Sequence, residues 1–160
     1  MLNELKVVFD EPLEVKINNE IRSVYPRFKN RIISYISRTF QAFALNNISF
    51  SSILYNAVTP KDARICLMSH VTGFGPKQAS LFLRRIGYSS ELAVLDTHIL
   101  DYLKIARGIR PKPSTLSRIS GYEEVEHKFV DVASEFNHIV GNVDLAVWIT
   151  MRVAKREMVL

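Results

Sequence analysis

The chain has 160 residues, 48% of them hydrophobic, and a formal net charge of +5. That length and composition suit one domain or two small lobes with a sizeable core, and they exclude a disordered chain. A single cysteine excludes a disulfide framework, an all-cysteine zinc site and a thiolate-held iron–sulfur cluster.

In chain order, residues 1–22 read as an N-terminal arm. It leans acidic and lacks the pattern of a signal peptide, so a cytoplasmic location is expected. Its LKVVFDEPLEVKI stretch is rich in β-branched residues around Pro12, which fits two short strands or an extended segment. The rest, 23–160, reads as one helical domain. In FKNRIISYISRTFQAFAL, the residues Phe28, Ile32, Ile36, Phe40 and Phe43 recur at helical spacing, with Arg27, Arg31, Ser34 and Arg38 on the opposite face. A short helix follows in SFSSILYNAV. Thr59-Pro60 then marks a helix start, with a capping hydroxyl and proline at the first helical position.

That helix carries Cys66, expected as a buried structural thiol, and runs to about Ser69. PKQASLFLRRIG predicts the next helix, closed by Gly87. Asp96 is a natural N-cap for THILDYLKIAR, and GIRPKPS breaks the chain after it. GYEEVEHKFVDVASEFN puts Tyr122, Val125, Phe129, Val132 and Phe136 in register, and NVDLAVWITMRVAKRE is apolar enough to be largely buried. The fold class is therefore mainly α, with a short extended or β N-terminal arm.

Charge is unevenly spread. Residues 21–45 hold five basic side chains and no acid, while 61–88 and 97–118 each hold five basic and one acidic. Residues 119–145 reverse this, with six acids and one lysine. A basic middle suits a polyanion such as duplex DNA. The four histidines form no tight pair, so no side-chain site for a transition metal is expected.

The sharpest feature is VTGFGPKQA, at 71–79. Two predicted helices over about 60–87 are joined by a hydrophobic-Gly-hydrophobic-Gly turn, which is a helix-hairpin-helix. Its glycines permit backbone angles that other residues resist. The second helix starts at about Pro76 and points its free N–H groups out of the turn, an anion site that suits a DNA phosphate. Thr72, Gly73 and Gly75 are the phosphate-contact candidates. Lys77 stands in the first turn of that helix and Asp96 caps the next one. An amine beside a fixed carboxylate suits attack at a sugar C1′, the amine forming an imine and the carboxylate stabilising positive charge on the ring. Singly, each residue is more often an ordinary surface charge or a plain cap.

TGFGPKQASLFLRRIGYSSELAVLDTHIL resembles the core of the helix-hairpin-helix DNA glycosylases, and most of all the small archaeal-type 8-oxoguanine DNA glycosylase/AP lyases. Fainter likeness extends over roughly 24–155. The resemblance implies that Lys77 is the Schiff-base nucleophile, Asp96 the catalytic carboxylate and His98 a neighbour of the lesion-strand backbone. It also implies that the carbonyls of Ser69, Val71 and Phe74 hold a structural K+ or Na+ ion, and that Asp144 and Trp148 border the base pocket. No organic cofactor is implied. The family carries a longer N-terminal region that completes a second lobe, so a protein partner or a second copy of the chain is expected to cover that side. The alternative reading is a non-catalytic or repurposed helix-hairpin-helix subunit that binds DNA or protein without a full base pocket.

Overall fold

The computed structural model describes residues 2–157. Among them, nine helices and one two-stranded sheet follow in the order α1 (Leu2–Asp10), β1 (Leu13–Ile17), β2 (Glu20–Val24), α2 (Lys29–Asn46), α3 (Phe50–Tyr55), α4 (Pro60–His70), α5 (Pro76–Arg85), α6 (Thr97–Arg107), α7 (Pro113–Leu116), α8 (Ile119–Glu135) and α9 (Val140–Glu157). They form two compact units. One comprises residues 2–50 with His70–Gly73, and the other Ser51–Ser69 with residues 74–157.

In the first unit the arm carries the short β structure that was expected, with a helix ahead of it that was not. Residues 2–10 are helical, so LKVVFD lies in α1 and not in a strand. The strands begin after Pro12 and pair antiparallel, Leu13 opposite Val24 and Ile17 opposite Glu20. Asn18 and Asn19 make the turn at φ 51° and 64°, the left-handed conformation that asparagine tolerates and a two-residue hairpin needs. Every residue of both strands is exposed. On α2 the buried side chains are Ile33, Ser37, Thr39 and Phe43, a face rotated from the predicted one. Phe28 and Phe40 point outward instead, Phe28 being 62% exposed with Arg27 and Arg31 stacked on its ring. The polar Thr39 is inside because its hydroxyl is spoken for: it donates to the Tyr35 carbonyl and accepts from the Thr72 amide.

The second unit holds the main core, built from α6, α8 and α9 around Ile99, Leu103, Phe129, Val132 and Val147. Full burial of a side chain such as Phe129 contributes about 1.5–3 kcal/mol. Helix α9 buries Val140, Val143, Asp144, Val147 and Met151 along one stripe. It is less buried than the largely buried helix expected, because Leu145, Ile149 and Val153 face outward. Phe136 is likewise 55% exposed, since α8 ends one residue before it. Helix α4 starts with a capping box: the Asp62 amide donates to Thr59 Oγ1 and the Thr59 amide donates to Asp62 Oδ2. Cys66 on α4 is half-buried rather than fully inside. Among the described residues, no helix is long and apolar enough to cross a membrane.

Candidate active site

The turn between α4 and α5 is shaped by its glycines. Gly73 has φ 85°, and a Cβ there would fall 2.1 Å from Cδ2 of Tyr35, so only glycine fits beneath that ring. The Thr72 amide donates to Thr39 Oγ1 at 3.0 Å, which leaves the Thr72 hydroxyl, not its amide, for a ligand. Phe74 packs edge-on against Phe82 of α5, with ring centres 5.7 Å apart.

Helix α5 then begins with Gly75 as N-cap and Pro76 at its first position, and no side chain caps it. The amides at its start are left for an outside acceptor, and the helix dipole adds positive potential there. Lys77, one residue further, is half-buried. Among the described residues, no hydrogen bond or ion pair engages its ammonium group.

Helix α6 begins in the opposite manner. Asp96 Oδ1 accepts from the amides of His98 (2.8 Å) and Ile99 (3.0 Å), so its carboxylate is fixed as the cap. The segment leading to it, Leu92–Leu95, is buried and lies outside any helix or strand. Among the described residues its amides have no strand partner. Three consecutive ones are bound by side chains: Ala93 donates to Glu126 Oε1 (3.0 Å), Val94 to Asp144 Oδ2 (2.7 Å) and Leu95 to the Tyr122 hydroxyl (3.0 Å). The Tyr122 hydroxyl also donates to the Ala93 carbonyl at 2.9 Å.

Behind this segment lies a buried polar cluster. Arg64 of α4 is fully buried and its Nη1 donates to both Glu126 oxygens at 2.7 and 2.8 Å and to Ser80 Oγ of α5 at 3.2 Å. Its Nη2 pairs with Glu123 at 2.8 Å, and its guanidinium lies 5.3 Å from the centre of the Tyr122 ring. Burial works against the Arg64 charge, but Glu126 and Glu123 outweigh it and raise its pKa above the ordinary value. Burial pushes the Tyr122 phenol well above its ordinary pKa, so it stays a neutral donor. Arg84 of α5 contacts Asp144 at 2.7 Å and donates to the Gly141 carbonyl. Burial raises the Asp144 carboxyl above its usual value, opposed by Arg84 and the Val94 amide.

Of the predicted residues, Lys77, Asp96, His98, Asp144 and Trp148 all belong to the second unit. Trp148 is half-buried on α9, edge-on to His98 with ring centres 5.6 Å apart, and Arg152 lies over its face at 5.0 Å. Nδ1 of His98 is buried with no hydrogen-bond partner among the described residues. Asp144 is turned inward onto Arg84 and Val94. Among the described residues, no group of three or more His, Cys, Asp or Glu could hold a metal ion. A groove of about 500 Å³ lined by Tyr102, Phe136, His138 and Thr150 includes none of the predicted residues.

Arg64, Tyr122, Glu126 and Arg84 did not emerge from the sequence reading as site residues. A signal was present: Glu126 stands on the same helical face as Tyr122, Val125 and Phe129, and Arg64 lies between Ala63 and Leu67, all buried. A charge within an apolar stripe demands a buried partner. The same pairing lowers the free positive charge of 61–88, because Arg64 and Arg84 are neutralised internally.

A family model described as 8-oxoguanine DNA glycosylase matches residues 1–138, and so takes in the arm as well as the hairpin. The 8-oxoguanine DNA glycosylase/AP lyase of Methanocaldococcus jannaschii is 33% identical over 138 residues, covering 86% of this chain and 61% of that protein. That of Picrophilus torridus is 33% identical over 132 residues, covering 82% and 59%. The chain thus spans about three fifths of the length of these relatives. Among solved structures, the Methanocaldococcus jannaschii 8-oxoguanine glycosylase/lyase in complex with a 15mer DNA containing 8-oxoguanine is similar with a TM-score of 0.63 at 32% identity, over 76% of this chain and 56% of that one. The 8-oxoguanine DNA glycosylase of Thermotoga maritima gives a TM-score of 0.62 at 27% identity, over 76% and 55%.

Proposed function

The chain belongs to the family of 8-oxoguanine DNA glycosylases, and from that premise we propose that it is a bifunctional DNA glycosylase/AP lyase acting through Lys77. The observation that carries this reading is the pair of helix starts in the second unit. One has no side-chain cap and presents a lysine with no partner among the described residues, and the other is capped by a carboxylate with one oxygen committed.

In the proposed reaction, duplex DNA docks by phosphate contacts from the turn, and the damaged nucleotide leaves the base stack. The neutral amine of Lys77 forms a bond to C1′ as the bond from C1′ to the base nitrogen breaks. The electron pair of that bond leaves with the base, which takes up a proton. The Asp96 carboxylate faces the positive charge that develops on the sugar ring. Loss of a proton from the amine and opening of the sugar ring give an imine. Removal of a C2′ proton then expels the 3′ phosphate and nicks the strand. An oxidised purine such as 8-oxoguanine is the substrate class, by analogy with the relatives.

Borohydride reduction in the presence of a duplex carrying 8-oxoguanine or an abasic site tests this. The wild-type chain is expected to form a covalent adduct. An absence of adduct on either duplex, with DNA binding retained, overturns the catalytic reading. Binding through phosphates also predicts affinity that falls steeply with salt, measurable by fluorescence anisotropy.

A further inference from the structure

The buried cluster has a geometry that simple stabilisation does not require. Replacing a buried ion pair by apolar residues of similar volume is often neutral or favourable for stability. Here the charges are kept, and they converge on two places. Glu126 shares Oε1 between Arg64 and the Ala93 amide, three residues before Asp96. Arg64 also reaches Ser80, one helical turn after Lys77 on α5. Tyr122 clamps two polar groups of the intervening backbone, the Ala93 carbonyl and the Leu95 amide. The Asp96 amide closes a tight turn onto the Val94 carbonyl at 2.7 Å. The backbone that delivers Asp96 is therefore fixed one peptide at a time by side chains, and the guanidinium that orients one of those side chains also holds the helix bearing Lys77.

We propose that Tyr122 and the Arg64–Glu126 pair are positioning residues, which set the Asp96 carboxylate in register with the Lys77 amine. This rests on the proposed lyase reading of Lys77 and Asp96. None of the three touches the substrate; they act through the backbone of residues 93–95 and through α5. Misplacement of a reacting group by about 1 Å can cost on the order of a hundredfold in rate, so the loss of a single clamp is visible in the chemical step.

Two variants test it. Tyr122→Phe keeps the buried ring and removes only the hydroxyl. Arg64→Met/Glu126→Met replaces the ion pair by apolar side chains of similar length. For each, the folded fraction is read by circular dichroism, DNA affinity by anisotropy, and the adduct-forming rate by single-turnover borohydride trapping at saturating protein on abasic-site duplex. We expect folded variants with affinity within about twofold of wild type and a trapping rate lower by about tenfold or more. A purely structural brace would lower the melting temperature and leave the rate of the folded protein unchanged, and that result overturns the inference. If neither variant folds, hydrogen exchange on the wild-type chain decides. Amides of residues 93–95 exchanging as slowly as the core of α8 support the clamp, and exchange as fast as exposed loops overturns it. A wild-type chain that forms no adduct overturns the proposed activity and the positioning role with it. A wild-type chain that traps, with both folded variants trapping as fast, overturns the positioning role alone.

Discussion

Helices α5 and α6 start twenty-one residues apart and solve the same problem in opposite ways. Each leaves amide donors without intrahelical partners at its N-terminus. At α6 the chain supplies the acceptor itself, with Asp96 Oδ1 bound to two amides. At α5 it supplies none: the cap is glycine, the next residue is proline, and the first charged side chain is a lysine that the dipole disfavours. The contrast teaches that the two ends are suited to different species. The α6 start already holds its anion. The α5 start leaves its amides open to an outside acceptor, beside an amine with no partner among the described residues.

The largest expected effect comes from removing the amine. Lys77→Ala should abolish borohydride trapping, a loss of about a thousandfold or more, with melting temperature and DNA affinity nearly unchanged because the ammonium has no partner among the described residues. Next, the two roles of Asp96 separate by substitution. Asp96→Ala removes the cap and the charge, and should cost about 1 kcal/mol of stability together with about a hundredfold in single-turnover rate. Asp96→Asn keeps a good N-cap, so stability should hold in denaturant melts while the rate still falls. Equal stability of the alanine and asparagine forms would break the comparison on the α6 side. The smallest effect tests the α5 side by making it resemble α6. Gly75→Asp is sterically permitted, since its φ of −103° is open to any residue and a Cβ would meet only the mobile end of Gln78 at 3.3 Å. It should stabilise the helix by about 0.3–1 kcal/mol and weaken DNA binding several-fold by occupying the amides. Unchanged DNA affinity would show that the open α5 start is not where phosphate binds.

Much of this was legible in the sequence for identifiable reasons. The starts at Thr59-Pro60, Gly75-Pro76 and Asp96 follow from capping chemistry, which is local and so readable from a few residues. The hairpin was half legible, because the β-branched stretch around Pro12 does contain β1 but Val7-Val8 resembled a strand and lies in α1. The buried face of α2 was misjudged in part because Thr39 is inside by virtue of a hydrogen bond from residue 72, a long-range fact that periodicity does not carry. The same limit hid the brace. Arg64 and Glu126 are 62 residues apart, and only the fold shows that the two misplaced charges answer one another.

We propose that the amine at the open start of α5 is the group that joins DNA. The most direct measurement is to trap the wild-type chain with borohydride on abasic-site duplex, digest the adduct, and locate the attached sugar by mass spectrometry. A single modified peptide is expected, with the sugar on Lys77. An adduct carried by another lysine or by the N-terminal amine would contradict it.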